Sequence, residues 1–510
     1  MRGMWVGGLV VWTGCSHFAT EADARRRQST PADAPLRELA DAAGLTIGAA
    51  VAWEPLRTDP GYAALAAEQF HVLTPENALK WAPIEHTQGS RDLSRAHDVL
   101  GFAESNGQAV RGHALVWDLE IPSWVDVGDK GALVAAQSAH LDATVREHAG
   151  RIAVWDVVNE ALDEGGQLKL TPLLRHVGPD HIADAFRAAH RADPAARLFY
   201  NDYAVLWPGD KAAGLDRLVD RLLSQAVPVH GVGLQSHLHL LPDAGLDWAG
   251  IEAHIQALGA RGLEVHLSEI DVRVADLDGS RQGRWLAQAQ AVHHLVDICR
   301  RQPACTQVTF WGITDRYSWV DRVIGPDDPL LWDDELREKP ALQAVREALA
   351  GKPWSGCAQQ RLEHGDLEAG SHRFGTTGGQ VARTPAAAHG GEHGLRVSER
   401  SEGWQGPEVD LTEVVSEGLD WKLGGWVRAA EGAQLKLTLR IDDGAGTRYV
   451  ALAEARSTGA WQALSAVHRF SLTAPVQRVA MYVEGPPAGI DIDLDDVAVQ
   501  VVCVATASTG

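Results

Sequence analysis

Residues 262–273 (GLEVHLSEIDVR) combine an apolar, β-prone run with an acid that a buried strand does not need for stability. Val265, Leu267 and Ile270 are the residues of a short strand that leaves a hydrophobic core. Glu269 lies near the C-terminal end of this run. The segment therefore predicts a buried strand that carries a functional carboxylate at its tip.

Residues 151–160 (RIAVWDVVNE) repeat this pattern and end in Asn159 and Glu160. In a barrel of parallel strands, the C-terminal ends of all strands meet at one mouth. Of two glutamates at such a mouth, one can act as proton donor and the other as nucleophile. We therefore expect Glu160 and Glu269 to face each other.

Similar runs recur through the first two thirds of the chain. Eight strand-like segments occupy residues 45–51, 71–75, 109–117, 152–160, 197–203, 229–237, 263–271 and 307–315. Intervening segments such as 183–192 and 212–224 place apolar residues at helical spacing. Strand and helix alternating eight times predict an α/β fold, a (β/α)8 TIM barrel with right-handed crossovers.

The helical periodicity ends near residue 351, and short alternating strands follow from about residue 361. They occupy residues 434–441, 449–453, 479–483 and 490–501, separated by Gly and polar clusters. This pattern predicts an all-β sandwich of jelly-roll type. The predicted organisation is a signal peptide at 1–20, a disordered tether at 21–36, the barrel at 37–350, a linker at 351–360 and the sandwich at 361–503.

Composition limits the partners. The 510 residues include 68 Asp and Glu against 46 Lys and Arg, a balance that disfavours nucleic acid and other anionic polymers. Trp is abundant, at 18 against 6 Tyr, which suits a protein that stacks flat rings on sugars. We expect about half of these Trp to serve the core instead.

The N-terminus combines an early Arg with an apolar run over residues 4–12, too short to span a membrane. It predicts an export signal. Thr13-Gly14-Cys15 resembles a bacterial lipoprotein box, although Trp12 fits that box poorly, so lipidation of Cys15 stays open. Membrane attachment is expected only through that lipid, and the protein is expected outside the cell or anchored at its envelope.

Cysteine usage agrees with an oxidising compartment. Without Cys15 four cysteines remain, an even number. We predict that Cys299 pairs with Cys305 and that Cys357 pairs with Cys503. A metal site is the alternative, but the sequence has no CxxC spacing and no His cluster to favour it.

The predicted strands end in polar and aromatic motifs: TPENALKW, RGHALVW, WDVVNE, YNDY, LQSH, SEID and FWGITDRYSW. Through these motifs, residues of about 40 to 350 resemble glycoside hydrolase family 10, the retaining endo-β-1,4-xylanases. The resemblance implies that Glu160 is the general acid/base and Glu269 the nucleophile. In retaining enzymes these carboxylates lie about 5 to 5.5 Å apart, so that a covalent glycosyl-enzyme forms.

The resemblance also implies supporting residues. Asp271 positions His237, which donates to Glu269 and keeps it ionised, while Asn159 reaches the sugar 2-hydroxyl. The implied substrate-binding residues are Glu76, Asn77 and Lys80 on the glycone side, His113, Trp117 and Gln235 around the reacting sugar, Trp311 and Trp319 as its walls, and Tyr203 on the leaving side. A core role is the alternative for Trp311 and the better interpretation for Trp81 and Trp155.

The chain departs from the family pattern after LVW, where Asp118-Leu119-Glu120 replaces the usual His-Ser-Gln. Asp118 is then a third carboxylate near Glu160. We expect a like charge there to oppose ionisation of Glu160 and to move the activity optimum toward higher pH. The leaving-side subsites are the ones that this change affects.

The C-terminal segment resembles carbohydrate-binding modules of families 4, 9 and 22, through LEHGDLEAG, WQGPEVDL, GGWVR, YVEGPPAG and DLDDVAV. The resemblance implies sugar-binding candidates, a structural calcium site and core positions. The sugar-binding candidates are Trp404, Tyr449, Tyr482 and Glu484, the calcium ligands are Glu368 and Asp496 together with backbone carbonyls, and the core aromatics are Trp426 and Trp461.

Three functions of different kinds follow. The first is an exported, monomeric endo-1,4-β-xylanase that needs no cofactor for catalysis and binds xylan or xylo-oligosaccharides, with an appended module that concentrates it on the polymer. The second is an enzyme of the same fold acting on another β-glycoside. The third is a non-catalytic polysaccharide-binding protein, which the joint presence of both glutamates, Asn159, His237 and Asp271 disfavours.

Overall fold

The computed structural model describes residues 34–242, 245–357 and 359–502. A barrel of parallel strands comes first and two antiparallel sheets follow. The predicted signal peptide, most of the predicted tether, Cys15 and Cys503 lie outside the described residues.

Nine strands belong to the first sheet: β1 (Thr46–Val51), β2 (Val72–Pro75), β3 (Ala109–Gly112), β4 (Ile152–Asn159), β5 (Arg197–Asp202), β6 (Gly231–Leu234), β7 (His237–His239), β8 (Glu264–Arg273) and β9 (Cys305–Phe310). Strands β1 to β6 pair in sequence order, β1 also pairs with β9, and β8 pairs with both β9 and β6. These pairs close a ring of eight parallel strands, and β7 is a short addition beside the end of β8. The predicted TIM barrel is confirmed.

Helices surround the barrel at Leu36–Ala43, Trp53–Thr58, Pro60–Gln69, Trp81–Ile84, Ser94–Ser105, Lys130–Glu147, His181–Ala192, Asp210–Ser224, Trp248–Ala260, Arg281–Arg301, Trp319–Val323 and Pro340–Leu349. Short helical turns lie at Asp118–Glu120, Leu173–Val177, Asp315–Tyr317 and Pro385–Ala387. Their apolar faces cover the strands; in His181–Ala192, for example, Ile182 and Phe186 are fully buried. Trp81 and Trp155 are also buried, as expected of core residues.

The second body consists of two five-stranded antiparallel sheets. Its strands are β10 (Phe374–Thr376), β11 (Gln380–Thr384), β12 (Gly394–Ser398), β13 (Pro407–Asp410), β14 (Asp420–Arg428), β15 (Gln434–Asp443), β16 (Gly446–Arg456), β17 (Gln462–Arg469), β18 (Arg478–Glu484) and β19 (Ile492–Val502). One sheet has the order β10-β13-β18-β15-β16 and the other β11-β12-β19-β14-β17. Leu435, Leu437, Leu439 and Ile441 alternate along β15 into the buried layer, as in a sandwich. The predicted sandwich is likewise confirmed.

The sandwich contacts the barrel through the segment that follows β8. Asp278 and Glu417 exchange two hydrogen bonds: the Asp278 N–H donates to Glu417 Oε2 at 2.9 Å, and the Glu417 N–H donates to the Asp278 carbonyl at 2.9 Å. The Ser280 N–H donates to the Val415 carbonyl at 3.0 Å. Glu417 is buried. The strand that carries Glu269 is thus continued by a segment that the sandwich holds through its backbone.

Cys299 and Cys305 form a disulfide, as predicted. Cys357 is also disulfide-bonded, and its backbone is bridged to Val501, but the predicted pairing with Cys503 involves a residue outside the described ranges. Within those ranges, no helix has both the length and the apolar character needed to cross a bilayer.

Candidate active site

Strands β4 and β8 bring the two glutamates to one mouth of the barrel. Glu160 directly follows β4, and Glu269 lies in the C-terminal half of β8. Glu269 is 4% exposed, and Asn159 is buried. Burial of this kind removes water from a carboxylate, so its protonation and position depend on the protein groups around it.

A row of side-chain amides joins the two carboxylates. Asn201 Nδ2 donates to Glu269 Oε1 at 2.6 Å and to Asn159 Oδ1 at 2.9 Å. Gln235 Nε2 donates to Asn159 Oδ1 at 3.2 Å and to Glu160 Oε1 at 3.1 Å. The positions of both carboxylates are therefore fixed relative to each other through three amides.

The other oxygen of Glu269 faces an imidazole. His237 Nε2 lies 3.3 Å from Glu269 Oε2, and His237 Nδ1 lies 2.8 Å from Asp271 Oδ2. Trp319 Nε1 also donates to Asp271 Oδ2, at 2.8 Å. His113 Nδ1 approaches Glu269 Oε1 at 3.9 Å. Two imidazoles thus flank this carboxylate, and Asp271 orients one of them.

These contacts set the protonation of the pair. Burial raises the pKa of Glu269, but His113 and then His237 outweigh burial and lower that pKa below its usual range. Burial lowers the pKa of His237, whereas Asp271 and Glu269 raise it to about 10. At neutral pH the pair is therefore an imidazolium beside a carboxylate, the state that a nucleophilic carboxylate requires.

Glu160 has a different environment. Trp117 Nε1 donates to its Oε2 at 3.2 Å, and Asn159 Nδ2 donates to its Oε1 at 3.3 Å. Lys169 Nζ lies 3.6 Å from Oε2. The backbone of Glu160 has φ 55°, a left-handed conformation that is rare outside glycine and is often found at functional sites.

Asp118 lies in the turn Asp118–Glu120 and interacts with the same group. Burial raises the pKa of Asp118, Lys169 lowers it, and the charge of Glu160 raises it further. The expected third carboxylate is therefore within electrostatic reach of Glu160. It is accompanied by a cation, Lys169, that no sequence motif indicated.

The residues predicted to bind on the glycone side form a connected set. Lys80 Nζ donates to Asn77 Oδ1 at 2.8 Å, Asn77 Nδ2 donates to Glu76 Oε1 at 3.2 Å, and Arg322 Nη2 donates to Glu76 Oε1 at 2.6 Å. Lys80 Nζ also lies 4.8 Å from the ring centroid of Trp117, which links this set to Glu160. A cavity of about 550 Å³ continues outward from Glu76 and Asn77, with Trp53, Tyr317 and Arg322 in its walls.

The aromatic residues differ in how much surface they offer. Trp311 is almost fully buried, with its ring edge against His113 at 5.0 Å between centroids. Tyr203 has Lys211 Nζ 3.1 Å from its ring centroid, and its hydroxyl donates to Glu164 at 2.7 Å. Lys169 Nζ also lies 5.3 Å from this centroid, so two lysines limit the ring surface that Tyr203 can offer to a sugar.

In the sandwich, three of the four sugar-binding candidates share one sheet face. Tyr482 on β18 stands opposite Thr438 of β15, and Tyr449 on β16 stands opposite Arg440 of the same strand. Thr438 Oγ1 donates to Glu484 at 2.6 Å. Because Thr438 and Arg440 are two residues apart on β15, these side chains point to the same side.

Trp404 lies beyond the edge of this face, in the loop before β13. The Gly485 N–H donates to the carbonyl of Gly403 at 2.9 Å, which places the loop beside Glu484. Trp404 is 53% exposed, and Tyr449 is 61% exposed. Both have free ring surface of the kind that stacks on sugars.

The prediction that Trp426 and Trp461 belong to the core is wrong. Trp426 alternates with buried Val427 on β14, so its side chain points out of the sandwich, where His389 stacks on it at 4.0 Å between centroids. Arg428 lies 4.7 Å over the ring of Trp461. Both rings are half-buried under polar side chains.

Both calcium candidates interact with polar groups of residues 389–393. Glu368 Oε1 accepts from the backbone N–H groups of Glu392 and His393, and Asp496 Oδ2 lies 2.6 Å from His389 Nδ1. Among the residues that the structure describes, no group of three or more His, Cys, Asp or Glu could hold a metal ion. Calcium takes six to eight oxygens, backbone carbonyls among them, so a structural calcium at Glu368 and Asp496 stays a prediction.

Two residues of the mouth were missed from the sequence. Asn201 belongs to the motif YNDY, whose polar strand tip was a usable signal, and it contacts Glu269 more closely than either imidazole. Lys169 had no such signal, because it lies in the loop after β4 and reaches Glu160 only through the fold.

Known proteins resemble both bodies of the chain. Residues 35–348 match the family model described as glycosyl hydrolase family 10, and residues 360–489 match one described as a carbohydrate binding domain. Endo-1,4-beta-xylanase D of Talaromyces funiculosus is 34% identical over 322 residues, which cover 62% of this chain and 78% of that protein. Endo-1,4-beta-xylanase B of Thermotoga neapolitana is 32% identical over 326 residues, covering 63% and 93%.

A solved structure agrees with this similarity. The crystal structure of xylanase 10B from Thermotoga petrophila in complex with xylobiose superposes with a TM-score of 0.60 at 32% identity, over 63% of this chain and 99% of that one. The family model covers well over half of the chain, and the closed barrel carries both glutamates at one mouth. The chain therefore belongs to glycosyl hydrolase family 10.

Proposed function

We propose that the protein is a retaining endo-1,4-β-xylanase that hydrolyses internal linkages of xylan, with Glu269 as nucleophile and Glu160 as general acid/base. The observation that carries the proposal is the row of amides between Glu160 and Glu269. It holds the two carboxylates in one mouth, although Glu269 lies between two imidazoles and Glu160 lies beside Trp117 and Lys169. The names of the similar proteins support xylan as the substrate.

In the first step, a Glu269 oxygen attacks the anomeric carbon while the bond to the glycosidic oxygen breaks. Glu160 gives its proton to the departing oxygen. The imidazolium of His237 holds Glu269 ionised until the attack and stays beside the ester that forms.

In the second step, the Glu160 carboxylate takes a proton from water, and the resulting hydroxide oxygen displaces Glu269 from the anomeric carbon. The product keeps the configuration of the substrate. All proton transfers go through Glu160, so the proposed reaction needs no cofactor.

Trp311 and Trp319 support the choice of a pentose, because rings against the reacting site crowd the hydroxymethyl group that a hexose carries. The exposed Trp404 and Tyr449 support a sandwich that binds the same polymer and raises the local concentration of the enzyme. We also propose the domain limits inferred from the sequence, a monomer, and an exported protein; the Cys299–Cys305 disulfide supports an oxidising compartment.

The test is release of reducing sugar from xylan and from soluble cellulose by the parent protein and by Glu269→Ala. Short xylo-oligomers from the parent and none from the variant are expected. Equal release from cellulose would assign another β-glycoside as substrate, and no release from either polymer by a folded parent would refute the proposal.

A further inference from the structure

A chain of buried polar contacts runs from the nucleophile down the inside of the barrel. We call Glu269, His113, Asp156, Arg111, His266 and Glu264 the lumen network. Asp156, Arg111, His266 and His113 are all nearly inaccessible to solvent. The interior of such a barrel is usually filled by layers of apolar side chains, so a buried chain of charged and polar residues there requires an explanation.

The upper half of the lumen network ends at the nucleophile. His113 Nδ1 lies 3.0 Å from Asp156 Oδ2 and 3.9 Å from Glu269 Oε1. Arg111 holds Asp156 with two bonds, from Nε to Oδ2 at 2.9 Å and from Nη2 to Oδ1 at 2.5 Å. This two-point contact fixes the Asp156 carboxylate and thereby the ring of His113.

The lower half continues from the remaining nitrogen of the guanidinium. Arg111 Nη1 lies 2.6 Å from His266 Nδ1. Because a guanidinium only donates, Nδ1 of His266 accepts, and the ring proton must sit on Nε2. That nitrogen faces Glu264 Oε1 at 3.0 Å, and Thr306 also bonds this carboxylate.

The His266 ring is held from the side as well. Phe199 stacks on it at 4.3 Å between centroids, and Arg197 pairs with the second oxygen of Glu264. Burial lowers the pKa of His266 to about 4, which agrees with a neutral ring of one fixed tautomer. Glu264 and Glu269 are five residues apart on β8, so the lumen network spans about 16 Å.

We propose that Arg111, Asp156 and His266 are positioning residues of the proposed glycosidase reaction: they hold the imidazole of His113 against Glu269 and anchor it to Glu264 at the opposite end of the barrel. None of the three touches the mouth where the sugar binds. Their contacts reach the reaction through His113, and the charge of Asp156 also acts on Glu269, whose pKa it raises. The inference rests on the proposed function.

The test uses the full chain and a dinitrophenyl β-xylobioside. Its leaving group needs no proton, so kcat/KM for this substrate reports attack by Glu269 without the contribution of Glu160. We expect His266→Leu to lower kcat/KM about 10- to 100-fold, because an unheld His113 shifts the nucleophile from its productive position. In His266→Gln the amide oxygen can accept from Arg111, so we expect this variant to keep most of the parental kcat/KM.

His254→Leu is the matched control, since His254 is also buried and lies 3.6 Å from a carboxylate, Asp216, but on an outer helix. It should keep the parental kcat/KM. Parental activity in His266→Leu would overturn the inference, as would equal losses in the Leu and Gln variants or in the control.

If His266→Leu does not fold, Glu264→Ala gives the answer, because the Glu264 side chain is 22% exposed at the far end of the lumen network, where a truncation is tolerated better than in the centre. We expect a smaller loss of kcat/KM than in His266→Leu, and parental kcat/KM in the folded variant would overturn the inference. A parent that releases neither dinitrophenolate nor sugar from xylan would refute the proposed function instead.

Discussion

The barrel mouth and the outer face of the sheet β10-β13-β18-β15-β16 both present charged and aromatic residues, but they hold their charges differently. In the mouth, buried Glu269 contacts Asn201, His237 and His113. On the sheet, Lys436 pairs with Glu484 at 3.2 Å and Arg440 with Asp442 at 2.7 Å, each with one partner about a third exposed.

Solvent decides what each arrangement can do. Exposed ion pairs are screened and contribute about 0 to 1 kcal/mol, so they shape a surface without changing its chemistry. Buried charges interact strongly and shift each other's protonation, which is the requirement of acid/base and nucleophilic groups. The difference indicates a reacting site in the barrel and a binding surface in the sandwich.

Among these substitutions, Asn201→Ala should lower the catalytic activity of the barrel mouth the most. The change removes the 2.6 Å bond to Glu269 and the 2.9 Å bond to Asn159, so that both carboxylates lose their common support. We expect kcat on xylan to fall by about 10²- to 10³-fold, the loss typical of one preorganised donor. Retention of more than a tenth of the parental kcat would contradict this role.

His237→Asn should separate the charge effect from the positional one. The substitution removes a cation whose pKa is raised to about 10 and which helps lower the pKa of Glu269. Without the cation that pKa rises, so the acid limb of the kcat/KM profile should move to higher pH. The profile from pH 3 to 8 checks this, and an unmoved limb would show that His237 acts only by position.

The lowered pKa of Glu269 also makes the stability of the folded protein depend on pH. A carboxyl group with a lowered folded-state pKa stabilises the protein above its unfolded pKa and loses that contribution as pH falls. Glu269 therefore stabilises the parent near neutral pH but not in acid, and His237→Asn should flatten the fall of Tm with decreasing pH.

Tyr449→Ala should weaken polymer binding by the sandwich without affecting catalysis in the barrel mouth. Loss of an exposed stacking ring is expected to weaken retention on insoluble xylan by about 0.5 to 1.5 kcal/mol, while kcat on xylotriose stays parental. Trp404→Ala should act alike, and Trp461→Ala is the control because Arg428 already covers that ring. An equal loss in the control would place the sugar on the other sheet.

Asp118→His should give the smallest effect. Removing the negative charge favours ionisation of Glu160, so the alkaline limb of the pH–rate profile should move down. Lys169, which lies 3.6 Å from Glu160 Oε2, already offsets part of that charge, and we expect a shift of less than about one pH unit. An unchanged limb would refute the expected effect of Asp118 on Glu160.

Particular residues show which features of the fold could be predicted from the sequence. The apolar run before Glu269 predicted strand β8, and the recurrence of such runs predicted the closed barrel. Strand ends were less certain: the predicted strand 109–117 ends at Gly112, since the chain then turns to present His113 and Trp117 to the mouth. Trp426 was misplaced although the strand did carry a signal: Trp421, Leu423 and Val427 alternate on the buried face and put Trp426 on the opposite one.

The sequence by itself determined the period of the strands, the change from barrel to sandwich, and the polar residues that follow each strand, because local periodicity reports which side of an element is buried. Only the tertiary structure decided which of these residues meet. Asn201 reaches Glu269 from a different strand, Lys169 reaches Glu160 from a loop, and His266 joins Arg111 across the barrel. Such contacts depend on the closure of the barrel, a property of the whole chain that no local pattern encodes.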